Sequence, residues 1–203
     1  MELVFPLATD ELDRERRRVS RALLYGVLVA PIGVARADDV VWPPLQHGGH
    51  VALIRHGATT PGVGDPPNFK LDDCGTQRNL TDEGRAQALK LGEAFRAHSI
   101  PVERVLSSPW CRCIETARIA FDGKPETSVA LSNLFARPEN REKQVAGLRT
   151  LVSEFRGRGT LVLVSHGSTI LALTGVSPDM AAMVVVQPQG SGNFAVVGTL
   201  NAS

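Results

Sequence analysis

Apolar residues follow two different spacings between residues 50 and 200. Short apolar runs predict strands over 50–55, 102–107 and 161–165, and the stretches 183–186 and 194–200 could add two more. Apolar residues at helical spacing predict helices over 81–98, from Pro109 to about Ala120, over 140–156 and after Gly167. Because strand and helix signals alternate, we expect an α/β fold. The expected architecture is a three-layer sandwich in which helices flank both faces of a mostly parallel sheet.

The first 37 residues carry a different pattern. A basic cluster precedes an apolar run over 22–35 and small residues up to Ala37, an order typical of a secretory signal peptide. The apolar run is shorter than the ~20 residues that a membrane-spanning helix needs. We therefore predict an N-terminal extension and signal peptide over 1–37, cleaved after Ala37 with no stable membrane span remaining. Residues 38–203 would then form one periplasmic or secreted domain; whether export uses the general or the twin-arginine route stays open. The basic residues are Arg14, Arg16, Arg17, Arg18 and Arg21.

Charge and cysteine content narrow the classes of partner and site. A formal net charge of +1 over 203 residues predicts no broadly basic surface, so we expect no nucleic-acid partner, and any anion site must be local. Three cysteines follow the predicted cleavage point: Cys74, Cys111 and Cys113. An oxidising compartment favours one disulfide and leaves one thiol, and the sequence leaves open a bond from Cys74 to either of the other two or three cysteines that are buried as small apolar residues. Their spacing does not fit a zinc site, and we predict no metal and no cofactor.

The chemically capable side chains cluster at the predicted ends of strands. Arg55 and His56 follow the first strand, Arg112 follows the second at a short distance, and His166 follows the third. The carboxyl ends of strands in an open α/β sheet converge on one crevice, so we expect these four side chains to meet. Guanidinium groups bind phosphate oxygens as a fork, and histidine is one of the few side chains that can accept a phosphoryl group near neutral pH. The set therefore predicts phosphoryl transfer.

Four motifs in order carry a family resemblance. Leu53-Ile-Arg-His-Gly57 comes first, Asn79 to Ala88 second, Ser107 to Arg112 with Glu115-Thr-Ala117 third, and Val164-Ser-His-Gly167 last. Together they resemble the histidine phosphatase superfamily, whose fold is phosphoglycerate-mutase-like, in an exported bacterial-type phosphatase branch. The resemblance covers most of 38–203. It implies His56 as the nucleophile, Arg55 and Arg112 as phosphate ligands, and His166 as a second histidine in contact with the phosphate.

The chain departs from the family pattern at Asn133. Many relatives have a glutamate there as the proton donor, and a carboxamide has no proton that dissociates in the useful range. If a general acid exists, it must come from the loop after the nucleophile or from the loop after Asn133. The candidate carboxylates are Asp65, Asp72 and Asp73 in the first loop, and Glu139 and Glu142 in the second.

These residues predict a phosphomonoester hydrolase that works through a phosphohistidine intermediate. One alternative is a catalytically silent module that binds a phosphorylated ligand, which the missing glutamate supports and the intact His56 opposes. Another alternative is a phosphoglycerate-type mutase, which export away from glycolytic intermediates disfavours. The expected partner is a phosphorylated small molecule or an envelope glycan, and the oligomeric state stays open.

Overall fold

The computed structural model describes residues 37–136 and 138–201, and one six-stranded sheet forms the centre of this part of the chain. The strand order is β3-β2-β4-β1-β5-β6. β1, β2, β3 and β4 run parallel to their neighbours in this group, whereas β5 and β6 run antiparallel. The strands are β1 (Val51–Arg55), β2 (Val102–Ser107), β3 (Glu126–Thr127), β4 (Thr160–Ser165), β5 (Met183–Gly190) and β6 (Asn193–Leu200).

Within residues 37–136 and 138–201, five α-helices cover the two faces of the sheet. They are α1 (Ala37–His47), α2 (Asp82–Ala97), α3 (Cys111–Phe121), α4 (Arg141–Ser153) and α5 (Gly167–Thr174). Successive residues of the strands belong to two separate apolar clusters, one on each face of the sheet. Ile54 packs with α1, α2 and α3, and Leu53 packs with α4 and α5. This division follows from the two-residue period of a strand, which sends successive side chains to opposite faces. The predicted α/β sandwich with a mostly parallel sheet is confirmed.

The N-terminal part of this fold contains the main difference from the predicted elements. α1 was not among the predicted helices, and it contains Pro43 and Pro44, which remove backbone donors. Tertiary packing compensates for this loss, because Trp42 is buried and stacks on His98 with ring centroids 4.3 Å apart. The two-residue strand β3 was also not predicted, since so short a segment has no detectable period.

Other boundaries differ by a few residues. α3 begins at Cys111 rather than at Pro109, and α4 ends at Ser153, short of the predicted 156. The predicted signal segment lies outside the described residues, apart from Ala37, where α1 begins. Within the described ranges, no helix is both long and apolar enough to cross a membrane.

Candidate active site

Two neighbouring parallel strands bring the two histidines together. Arg55 at the end of β1 is paired in register with Ser165 at the end of β4, and each strand is followed directly by a histidine. The backbone N–H of His56 continues the ladder by donating to the carbonyl of Ser165 at 3.0 Å. The rings of His56 and His166 are both buried, and their centroids lie 5.4 Å apart.

The hydrogen bond of His56 identifies its tautomer. Its Nδ1 lies 2.8 Å from the carbonyl oxygen of Gly57. A carbonyl only accepts, so Nδ1 carries the proton and Nε2 keeps its lone pair. Burial lowers the pKa of His56 to about 3, and the charges of Arg112, Arg55 and Arg78 act in the same direction against the opposing effect of the Gly57 bond. His56 is therefore a neutral imidazole with an available Nε2 at neutral pH, which is the form a nucleophile requires.

The backbone after His56 is fixed by contacts with two helices. Gly57 donates its N–H to the hydroxyl of Thr116 on α3 at 3.1 Å, and Ala58 donates to the side chain of Gln87 on α2 at 2.8 Å. Gly57 also lies against Gly84 of α2, and a Cβ atom on Gly57 would come within 2.4 Å of the Gly84 carbonyl oxygen. The second motif thus contributes a glycine that allows the nucleophile loop to approach α2.

Arg112 supplies a guanidinium fork that is already occupied by a carboxylate. Its Nη1 and Nη2 donate to Oδ1 and Oδ2 of Asp65 at 2.8 and 3.1 Å. The indole Nε1 of Trp110 donates to Asp65 Oδ2 at 3.1 Å, and the backbone N–H of Arg78 donates to Oδ1 at 3.0 Å. Four donors from three residues therefore surround one anionic group, an arrangement that equally suits a phosphoryl group.

Asp65 is ionised in this arrangement. Burial alone would raise the pKa of its carboxyl, but the hydrogen bonds and charge of Arg112, together with the Arg78 amide and the Trp110 indole, hold that pKa below its usual value. The carboxylate therefore carries no proton at neutral pH while it contacts Arg112. In the conformation described, Asp65 is a ligand of Arg112 and not a loaded general acid.

The other predicted proton donors lie at the surface. Asp72, Asp73, Glu139 and Glu142 are all exposed. Asp73 accepts from the N–H of Gly75 at 3.0 Å, and Glu139 lies 3.5 Å from the side-chain nitrogen of Asn140. None of the four makes a hydrogen bond to His56, His166 or the arginines within the described part of the chain. Their role as donors stays a prediction.

His166 is held by a hydroxyl and a guanidinium. Its Nε2 lies 2.8 Å from Ser108 Oγ, and its Nδ1 lies 3.4 Å from Arg112 Nη2. A guanidinium only donates, so Nδ1 accepts and Nε2–H donates to Ser108. Burial, followed by electrostatic coupling to His56 and the charge of Arg112, lowers the pKa of His166 well below its usual value. His166 is thus neutral, and its predicted contact with a phosphoryl group stays a prediction.

Three arginines meet around the histidines, and one of them was not assigned from the sequence. Arg55 donates from Nη1 to the carbonyl of Pro178 at 2.9 Å, and Arg78 donates from Nη1 to the carbonyl of Val63. The Nε atoms of Arg55, Arg78 and Arg112 are buried, and none has a hydrogen-bond partner among the described residues. Arg78 is the arginine that no sequence pattern assigned to the site. The only sequence signal for it was its position directly before the second motif.

A disulfide joins the loop that carries Arg78 to the start of α3. The structure bonds Cys74 to Cys111, with an S–S distance of 2.01 Å, and leaves Cys113 as a buried free thiol. Of the two pairings left open by the sequence, this is the one present. Gln77 adds a second connection, because its side-chain oxygen accepts from the N–H of Cys111 at 2.9 Å. The start of α3 and residues 74–78 thus form one cross-linked wall of the site.

The buried thiol of Cys113 lies beside this site without the properties of a nucleophile. Its Sγ is 3.6 Å from the carbonyl oxygen of Ser165 and 3.5 Å from His166 Nε2. Burial raises its pKa to about 12, so the thiol stays protonated. Among the described residues, no three histidine, cysteine or carboxylate side chains form a group that could hold a metal ion.

Comparisons with known proteins show which sequences part of this chain resembles. Residues 51–135 match the family model described as "Histidine phosphatase superfamily (branch 1)". A probable phosphatase of Schizosaccharomyces pombe is 36% identical over 75 residues, which is 35% of this chain and 31% of that relative's length.

Solved structures share the fold. The protein histidine phosphatase SixA in complex with tungstate has a TM-score of 0.58 at 20% identity, covering 75% of this chain and 97% of that one. A mycobacterial glucosyl-3-phosphoglycerate phosphatase in complex with VO3 has a TM-score of 0.54 at 20% identity, covering 77% of this chain and 100% of that one.

Proposed function

We propose that the chain belongs to the histidine phosphatase superfamily, whose family model matches residues 51–135, and that the protein hydrolyses phosphomonoesters through a phosphohistidine on His56. One observation carries the proposal. The Nε2 of His56 has its lone pair available beside the buried guanidinium group of Arg112 and the half-buried ones of Arg55 and Arg78, because Nδ1 is committed to the Gly57 carbonyl. A neutral nitrogen nucleophile and fixed positive charge are the two requirements for transfer of a phosphoryl group.

The reaction has two steps. His56 Nε2 attacks the phosphorus, the bond from phosphorus to the ester oxygen breaks, and the alcohol leaves after taking up a proton. Water then attacks the phosphorus and gives a proton to the group that had protonated the alcohol, the P–N bond breaks, and inorganic phosphate leaves while Nε2 regains its lone pair. The guanidinium groups of Arg55 and Arg112 would stabilise the negative charge on the transferring oxygens in both steps.

Asp65 must leave Arg112 before phosphoryl oxygens can take the same donors. Once displaced, its carboxyl loses the ion pair and faces a dianion, and both changes raise its pKa. This makes Asp65 the strongest of the predicted proton donors for the leaving alcohol, because it is the one that contacts the site. Its role as the acid is part of the proposal.

The proposal is tested by phosphate release from para-nitrophenyl phosphate together with acid-quench trapping of the phosphoenzyme. We expect His56→Ala to abolish both signals, whereas His47→Ala, which removes an exposed histidine on α1, should leave both intact. Undiminished release by a folded His56→Ala variant would overturn the proposal. Tight oxyanion binding with no turnover of any phosphoester would instead support the silent binding module, which Asn133 favours.

We also propose that the substrate is a phosphorylated small molecule or an envelope glycan, met outside the cytoplasm. The name of the mycobacterial neighbour, which gives glucosyl-3-phosphoglycerate, supports a small phosphorylated substrate. The signal-like pattern of residues 1–37 supports export, and the Cys74–Cys111 bond is of the kind that persists in oxidising compartments. The N-terminal mass of protein recovered from the periplasm tests the predicted cleavage after Ala37.

A further inference from the structure

A cavity of about 470 Å³ opens beside the proposed phosphoryl site. One wall is formed by the residues that lead into α3, and the opposite wall is formed by the turn over 129–133 and the first half of α4. The volume lies within the range of pockets that bind small organic molecules. Its lining includes Leu71, Trp110, Val129, Asn133, Lys143 and Gln144.

Trp110 joins this cavity to the catalytic residues. Trp110 is one of the residues that line the cavity, its Nε1 donates to Asp65, and its ring centroid lies 5.3 Å from that of His166. Asn133 forms a second junction, because its side-chain oxygen accepts from Ser168, two residues after His166. A phosphoester whose phosphoryl group replaced the Asp65 carboxylate on Arg112 would therefore lie next to this cavity.

Apolar side chains line the cavity where it opens to solvent. Val129 is 80% exposed and Leu71 is 37% exposed, although both are large hydrophobic residues. Two exposed apolar side chains at the mouth of one cavity favour a ligand that removes them from water. The polar group of Gln144 is already used inside the protein, since its Nε2 donates to the carbonyl of Ser132 at 2.6 Å.

We propose that this cavity binds the alcohol part of the substrate, and that the preferred substrates are phosphomonoesters of bulky, largely apolar alcohols. The inference rests on the proposed function. Polar sugar hydroxyls would require several hydrogen-bond partners, whereas the mouth of the cavity offers the hydrocarbon of Val129 and Leu71. The organic group, and not the phosphate alone, would then determine KM.

The test compares two aryl phosphates with leaving phenols of similar acidity. Phenyl phosphate and biphenyl-4-yl phosphate differ by one apolar ring, so the ratio of their kcat/KM values reports on the cavity and not on leaving-group chemistry. We expect the biphenyl ester to have a kcat/KM at least tenfold higher. Glucose 6-phosphate is the polar comparator, and we expect its KM to be at least tenfold above that of the biphenyl ester.

A matched pair of variants locates the effect. Val129→Asn should reduce the biphenyl-to-phenyl ratio at least threefold, because Val129 is at the mouth of the cavity. Leu89→Asn replaces another exposed apolar residue, on α2 and not in the cavity lining, and should leave the ratio unchanged. Equal kcat/KM values for the two aryl esters, or a preference for the sugar phosphate, would overturn this inference. Hydrolysis of phenyl phosphate in the same experiment would leave the proposed function standing.

Discussion

Replacing Asp65 with asparagine should make the protein bind oxyanions more tightly. In the structure the Asp65 carboxylate takes both terminal nitrogens of Arg112 and two further donors. A phosphate ion needs the same donors, so it competes with a ligand that belongs to the chain. Asp65→Asn keeps the shape of the side chain but removes its charge, and with it the two charge-assisted hydrogen bonds to the guanidinium.

The size of the effect follows from the burial of this ion pair. Arg112 exposes 1% and Asp65 10% of its side chain, so solvent screens the pair weakly. A hydrogen bond to a charged group contributes about 1.5 to 3 kcal/mol, and the carboxamide of the variant recovers part of this by accepting from one guanidinium nitrogen. If the state in which residue 65 occupies Arg112 is destabilised by about 1.5 to 3 kcal/mol, the external anion binds roughly 10- to 150-fold more tightly.

Titration calorimetry with inorganic phosphate and with tungstate measures this directly. Asp72→Asn is the matched control, because it removes the same charge from an exposed position in the same loop. We expect Asp65→Asn to tighten binding by an order of magnitude or more and Asp72→Asn to change it less than twofold. Equal or weaker binding by Asp65→Asn would refute the idea that Asp65 occupies the phosphoryl site. The measurement is independent of turnover, which the same variant should slow if Asp65 supplies the leaving-group proton.

Two further predictions concern stability. The pKa of His56 is lowered to about 3 in the folded state. Below about pH 6.5 the unfolded chain therefore takes up a proton at this residue that the folded chain does not, and the free energy of unfolding decreases as the pH is lowered. Between pH 7 and pH 5 this effect lowers the free energy of unfolding by about 2 kcal/mol. Urea titrations should show a smaller decrease for His56→Asn than for the unmodified protein. An equal decrease in the two proteins would contradict the buried neutral imidazole. The disulfide between Cys74 and Cys111 links residues 37 positions apart, so its chemical reduction should lower the free energy of unfolding by about 4 kcal/mol. The control is a Cys74→Ser/Cys111→Ser variant, whose stability should not change with reductant.

Much of this fold could be predicted because strands and helices leave periodic signals. The motif residues His56 and His166 could also be predicted as neighbours, since each follows a buried parallel strand and such strands end at a common edge. α1 could not, because Pro43 and Pro44 argue against a helix and the tertiary packing of Trp42 against Phe95 and His98 offsets them. Arg78 could not be assigned either, since a charged loop residue has no periodicity that reveals its position.

The amino-acid pattern was sufficient for the chemistry of the residues and for the order of the longer strands and helices after residue 50, because both depend on local composition and spacing. The pairing of Cys74 with Cys111 and the contact of Asp65 with Arg112 depend instead on how two long loops fold against the start of α3. The two cysteines are 37 positions apart in the sequence, and Asp65 and Arg112 are 47 positions apart. Which of several loop carboxylates or cysteines makes the contact depends on distance in the folded chain. That distance is a property of the packed chain, so the identity of the carboxylate at the arginine fork emerged only with the folded structure.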